Sequence, residues 1–270
     1  MVREITLGQY LPGNSFIHRL DARSKIILIF AYIIFIFMCR NFISLLVMSL
    51  FSILVILITK IGFVKYLKSL KVILIVIILT GIMNIFFGSG DILWQWWIIK
   101  ITEGGLINAA FVVIRISMLM MISSVLTYTT SPTDLTDALE RLLKPLAYFH
   151  VRVHEIAMMM TIALRFIPVL IDETDKIMNA QKSRGADLEN GNLIRRIKSL
   201  IPVLIPLFVS AFRRAGDLAT AMECRCYNVV GKRTRMRVMH FSMTDLIALI
   251  SCLVVFSSVI VLNIFFPSVI

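Results

Sequence analysis

The sequence predicts an all-α membrane protein with about five transmembrane helices and one polar insert of long amphipathic helices. Three observations carry this. Of the 270 residues, 59% are hydrophobic and the mean hydropathy is +0.89, which excludes an ordinary soluble domain. The apolar residues gather in runs at 24–39, 42–58, 72–87, 105–128 and 242–266, divided by polar stretches. The basic residues are segregated. With the N-terminus inside, four Lys/Arg fall in 1–25, four in 59–71 and seventeen in 129–241, twenty-five of 28 on one side. This is a strong positive-inside pattern, with the N-terminus cytoplasmic and the C-terminus outside after five spans. The formal charge of +12 is then topological and suits anionic lipid at the bilayer surface, with no nucleic acid needed to explain it.

Three regions follow: 1–128 with the first four spans, the insert 129–241, and the last span in 242–270. Residues 1–23 are polar and turn-rich, and no cleavable signal peptide is expected, because the first apolar run starts only near Lys25. The stretch 26–58 is broken only by Cys39-Arg40-Asn41. As one helix it would run about 50 Å at ~1.5 Å per residue, so a tight hairpin is expected. The outer loop near 88–104 carries Gly88, Gly90, Asp91 and a tryptophan cluster, Trp94, Trp96 and Trp97. The cluster reads as an interfacial belt, with an aromatic stacking site as the alternative.

The insert opens on Ser131-Pro132-Thr133-Asp134, a serine cap with proline at the first helical position and an acid three residues after the cap. Leu135, Leu139, Leu142 and Leu146 follow at roughly helical spacing, and a break is expected from Pro145 to Arg152. A second helix is expected from about His154 to Ser183, stopped by Gly185, and a third from about Leu193 to Cys226. Pro168, Pro202 and Pro206 should kink them. The two segments share Ile-Pro-Val-Leu-Ile, at 167–171 and 201–205.

Each long segment ends on an arginine between small residues: Ser183-Arg184-Gly185 and Cys224-Arg225-Cys226. An arginine so placed projects from its helix tip, and its planar fork suits bidentate capture of a carboxylate. A cation in a last turn also complements the helix dipole, which explains one such site without function. Two tips of one design point to a two-pronged plug for a two-lobed soluble partner. Methionines crowd the same region, including Met158, Met159 and Met160. Core filling accounts for any one of them, whereas as a set they offer a pliable apolar surface for unlike partners.

Several chemistries lack their parts. No phosphate-binding loop occurs, since Gly231-Lys232 has no glycine at the required upstream offset. Cys224 and Cys226 have no second pair or nearby histidine, and His150 with His154 beside Glu155 lacks helical continuity, so no metal site is expected. Arg115 lies within a span, where a charge needs a partner; Asp245 and the insert's carboxylates are the candidates.

The runs 164–168 (Leu-Arg-Phe-Ile-Pro), 180–187, 210–215 and 221–227, with the entry sequence 19–25, carry a resemblance over nearly the whole chain. They are similar to the transmembrane T component of energy-coupling factor (ECF) transporters, the vitamin-importing branch of ABC transporters. That family's tips are usually Ala-Arg-Gly. Here Ser183 replaces the alanine of the first, and Cys224 and Cys226 flank the second, all still small. The resemblance implies a cytoplasmic coupling domain of long amphipathic helices in a multi-pass protein of a bacterial cell membrane. It implies that Arg184 and Arg225 dock into two ABC-type ATPase subunits. One or several membrane S components would lie against apolar faces that include Met158, Met159 and Met160. The chain itself would be a non-catalytic subunit with no cofactor, ATP being used by its partners. A dedicated cobalt or nickel importer is the near alternative. A polytopic membrane enzyme using Arg115, Asp245 and the histidines is the remote one, and it leaves the twin tips unexplained.

Overall fold

The computed structural model describes residues 10–87, 92–96, 99–186, 193–227 and 241–266. Within them the chain runs α1 (Phe16–Arg19), α2 (Ala22–Met38), α3 (Phe42–Ile58), α4 (Phe63–Phe87), β1 (Ile92–Trp96), β2 (Ile99–Thr102), α5 (Glu103–Thr129), α6 (Pro132–Leu143), a 3-10 turn (Lys144–Phe149), α7 (Val153–Ser183), α8 (Leu193–Cys224) and α9 (Met243–Phe265). The protein is an all-α membrane protein with one small antiparallel hairpin, in which Trp96 pairs with Ile99 and Ile92 with Thr102. That hairpin stands where a plain loop was expected. Trp97, Gly88, Gly90, Asp91, Asp187 and Gly231-Lys232 lie outside the described residues, as do the side chains of Trp94 and Trp96.

The chain divides into two compact units, one of Gly8–Ala138 with Met239–Ile270, the other of Leu139–Val238. In the first unit α2, α3, α5 and α9 pack around Tyr32, Ile36, Met48, Phe111, Ile122 and Phe256. Phe35 stacks on Phe256 with ring centroids 4.2 Å apart. The α2–α3 hairpin forms as expected. Asn41 seals it by donating to the carbonyls of Leu262 (3.2 Å) and Phe266 (2.9 Å) at the end of α9. The Leu262 carbonyl also accepts from the Phe266 N–H at 3.1 Å, while the Phe266 carbonyl lies past the last helical turn, where a side-chain donor satisfies it.

The opposite end of the same unit is tied by charge. Lys25 donates to the Thr129 carbonyl at 2.9 Å and to the Thr130 hydroxyl at 3.3 Å. Asp245, 1% exposed, accepts from the backbone N–H of Asp21 and of Ser242, both at 2.9 Å. Asp245 is therefore not the partner of Arg115. Arg115 lies toward the other end, donating to the Cys39 carbonyl at 2.6 Å and stacking over Phe111 at 4.6 Å. The last carbonyls of α2 are free to accept, and the ring face is electron-rich, so the cation is held without a carboxylate.

Helix α4 begins at Phe63, nine residues before the expected apolar run. Lys65, Lys68 and Lys71 recur every three residues, so they fall on one face of a helix that hydropathy alone reads as a loop. Helices α4 and α5 approach closely at Gly105, where an added Cβ would lie 2.9 Å from the carbonyl oxygens of Asn84 and Ile85.

Among the described residues, five helices are long and apolar enough to cross a membrane: Phe63–Phe86, Glu103–Thr129, Val153–Ser183, Lys198–Cys224 and Met243–Phe265. Three coincide with expected spans. The other two are α7 and most of α8, while the 17-residue α2 and α3 fall short of that length. Helix α8, however, is not apolar all round. Ile201, Leu204, Ile205, Phe208 and Phe212 form one exposed stripe, and Val203, Ser210 and Arg214 face α7. Such a stripe marks an amphipathic helix, the design expected for the insert.

Candidate functional site: twin arginine tips on an antiparallel helix pair

The segment that precedes the second unit carries the expected local signals. Asp134 N–H donates to the Ser131 hydroxyl at 3.1 Å and that hydroxyl donates to the Asp134 carboxylate at 2.7 Å, starting α6. The 3-10 turn ends on His150 in the left-handed region, φ 61°, and α7 begins at Val153. His150 is thereby outside the helix, and His154 is paired with Glu140 at 3.1 Å, so the two histidines do not share a helix face. No cluster of metal-ligating side chains occurs among the described residues.

Helices α7 and α8 run antiparallel. Glu173 accepts from the Ser210 hydroxyl and from the Arg214 guanidinium, the latter at 2.7 Å. Further along, Gln181 donates to the Pro202 carbonyl at 3.3 Å. That carbonyl would normally accept from residue 206, which is Pro206 and has no N–H. The neighbouring helix thus satisfies a group that the second proline leaves free. At the far end, the Tyr227 hydroxyl donates to the Met158 sulfur at 2.8 Å. Both helices continue through their prolines.

This register puts the two arginines at opposite ends of one helix pair. Arg184 ends α7, and Arg225 follows α8 beside Met158, twenty-six residues back along α7, which is about 39 Å at ~1.5 Å per residue. The two tips close in the same way. Ala186 N–H bonds the Gln181 carbonyl and Gly185 N–H the Lys182 carbonyl, both at 3.0 Å. Tyr227 N–H bonds Met222 at 3.0 Å and Cys226 N–H bonds Glu223 at 2.9 Å. Gly185 at φ 85° and Cys226 at φ 55° occupy the left-handed position that such a cap requires. Ser183, Arg184, Gly185, Cys224, Arg225 and Cys226 are all exposed.

The methionine set divides. Met159 and Met160 are 61% and 42% exposed, whereas Met158 is half-buried against Tyr227. Sequence reasoning did not single out Glu173, while Gln181 and Tyr227 lay inside runs that carried the resemblance without a role of their own. Ser210 and Arg214 lay inside the run that carried the resemblance, and their spacing of four puts them on one helix face.

A family model described as a cobalt transport protein, CbiQ, matches residues 13–237. The chain belongs to the CbiQ family. An energy-coupling factor transporter transmembrane protein, EcfT, of Ruminiclostridium cellulolyticum is 50% identical over 247 residues, covering 92% of each chain. That of Clostridium kluyveri is 48% identical over 256 residues, covering 94% of this chain and 95% of its own. That of Staphylococcus aureus is 42% identical over 250 residues, covering 92% and 93%. This CbiQ-family chain is thus a transmembrane T component of the energy-coupling factor type, a multi-pass membrane subunit, as its sequence led us to expect.

Proposed function

We propose that this chain is the coupling scaffold of an ATP-driven importer. Arg184 and Arg225 dock into grooves on two ABC-type ATPase subunits, and α7 with α8 passes their motion to a membrane S component for vitamin uptake. The observation that carries this is the pair of like-capped arginine tips at opposite ends of one antiparallel helix pair, spaced for two partners. ATP is hydrolysed by the partners, and the chain itself is non-catalytic and needs no cofactor. The insert lies on the cytoplasmic side, as the distribution of basic residues supports. Helices α2, α3, α4, α5 and α9 are then the spans, and the exposed stripe from Ile201 to Phe212 faces the S component. A stripe without fixed polar pairs tolerates unlike partners.

The test is Arg184→Glu with Arg225→Glu. The double variant inserts in the membrane but loses ATPase association and ATP-driven uptake, with single changes hurting less. Normal uptake by the double variant sinks the docking reading. The cobalt description of the family model favours a second reading, a dedicated metal importer. Co-purification separates the two, since several different S components mark a shared module and one fixed partner marks the dedicated type.

A further inference from the structure

The two tips differ in one chemical respect. Where the first cap has Gly185, the second has Cys226 in the same left-handed conformation, with Cys224 two residues before it. A side chain there costs roughly 1–2 kcal/mol that glycine avoids, so backbone fit does not account for the cysteine. All four cysteines are free, and Cys39 and Cys252 are buried. Cys224 and Cys226 are exposed, so the accessible thiols of this chain bracket Arg225.

We propose that Cys224 and Cys226 form a thiol-exchange site for low-molecular-weight disulfides, and that a mixed disulfide there disables the Arg225 tip. The second half rests on the reading of Arg225 as a docking residue. In the exchange, a cysteine thiolate attacks one sulfur of the small disulfide. A new S–S bond forms and the old one breaks. The departing thiolate takes the electron pair and then the proton that the cysteine released, so no other oxidant is needed. Excess thiol reverses the step. An anionic adduct such as a glutathionyl group adds bulk and negative charge beside the guanidinium, opposing both insertion and carboxylate capture. In the assembled transporter the docked partner covers the tip, so both thiols exchange more slowly than in the free chain.

The experiment treats the purified full-length chain with glutathione disulfide, removes the reagent, and measures binding to the ATPase subunits. Adduct position is read by mass spectrometry. Wild-type protein is expected to carry the adduct on Cys224 or Cys226 and to lose about tenfold or more in affinity, as blocking one charged anchor does, with recovery in dithiothreitol. The variant Cys224→Ala with Cys226→Gly is expected to keep the affinity it shows untreated. Three results overturn the proposal: thiols that stay unmodified, modified wild-type protein that binds as before, or a double variant that loses as much on treatment. An Arg225→Glu chain that binds normally removes the docking reading instead. Modified wild type that binds beside an Arg225→Glu chain that does not overturns the thiol proposal alone.

Discussion

The hydroxyl of Tyr227, two residues past Arg225, donates to the sulfur of Met158 at 2.8 Å. One member of the methionine set is thereby part of the seat of an arginine tip, while its neighbours Met159 and Met160 stay exposed. Adjacent residues of one helix thus serve different surfaces.

Met158→Val is expected to act through the Arg225 tip and reduce uptake of two unrelated vitamins by a similar factor. Met159→Val and Met160→Val are expected to weaken some S components severalfold more than others, because a stiff β-branched side chain adapts poorly to unlike partners. Uptake of both vitamins in the three variants checks this. Equal losses for Met159→Val and Met160→Val would refute the division.

Glu173 fastens α7 to α8. The Ser210 hydroxyl, and after it the Arg214 guanidinium, hold its carboxyl below the ordinary value of 4.5. A depressed folded-state value means that the stabilisation is fully present above 4.5 and is lost as pH falls through the lower folded value. Thermal unfolding of Glu173→Gln beside wild type should show a penalty that is constant from neutral pH down to about 4.5, shrinks as pH falls further, and is gone below the folded value. A penalty independent of pH through the acid range would show that the charge is not what fastens the helices.

Much of this architecture was legible because its signals are local. The serine cap at Ser131, the break at Pro145, the stop at Gly185 and the hairpin at Cys39-Arg40-Asn41 each act within one turn of chain, and each stands where expected. The arginine tips were legible for the same reason. What was not legible depends on pairing between distant segments. Glu173 is one of several acids on α7, and only the register against α8, 41 positions away at Arg214, selects it. Likewise the charge of Arg115 pointed to a carboxylate, but an open backbone carbonyl at the end of α2 reached it instead. A carbonyl left free by a helix end or a proline has no letter of its own in a sequence.

Topology gives a separate test. Asn41 binds the end of α9, and Lys25 binds the end of α5 opposite it, so the α2 start and the α9 end lie at opposite ends of the first unit. With basic residues inside, a cysteine engineered at Ile264, 75% exposed, should react with an impermeant reagent applied to intact cells once the native cysteines are removed. Labelling only after membrane disruption would reverse the orientation.

The last expectation concerns the link between Gln181 and Pro202. Gln181→Leu removes the donor to a carbonyl that Pro206 has already deprived of its helical partner. An unsatisfied backbone carbonyl costs roughly 1–3 kcal/mol when water cannot replace the bond, and less where it can. Because this site is partly open, a loss of about 1 kcal/mol in the stability of the α7–α8 pair is expected. Pro206→Ala restores an N–H four residues after Pro202 and lets α8 satisfy that carbonyl itself. In the Pro206→Ala background, Gln181→Leu should then cost almost nothing. A double-mutant cycle in denaturant reads the coupling directly. Strictly additive losses would mean that the proline-freed carbonyl and the glutamine are independent, and that the register of the two arginine tips is set by Glu173 and Arg214 without them.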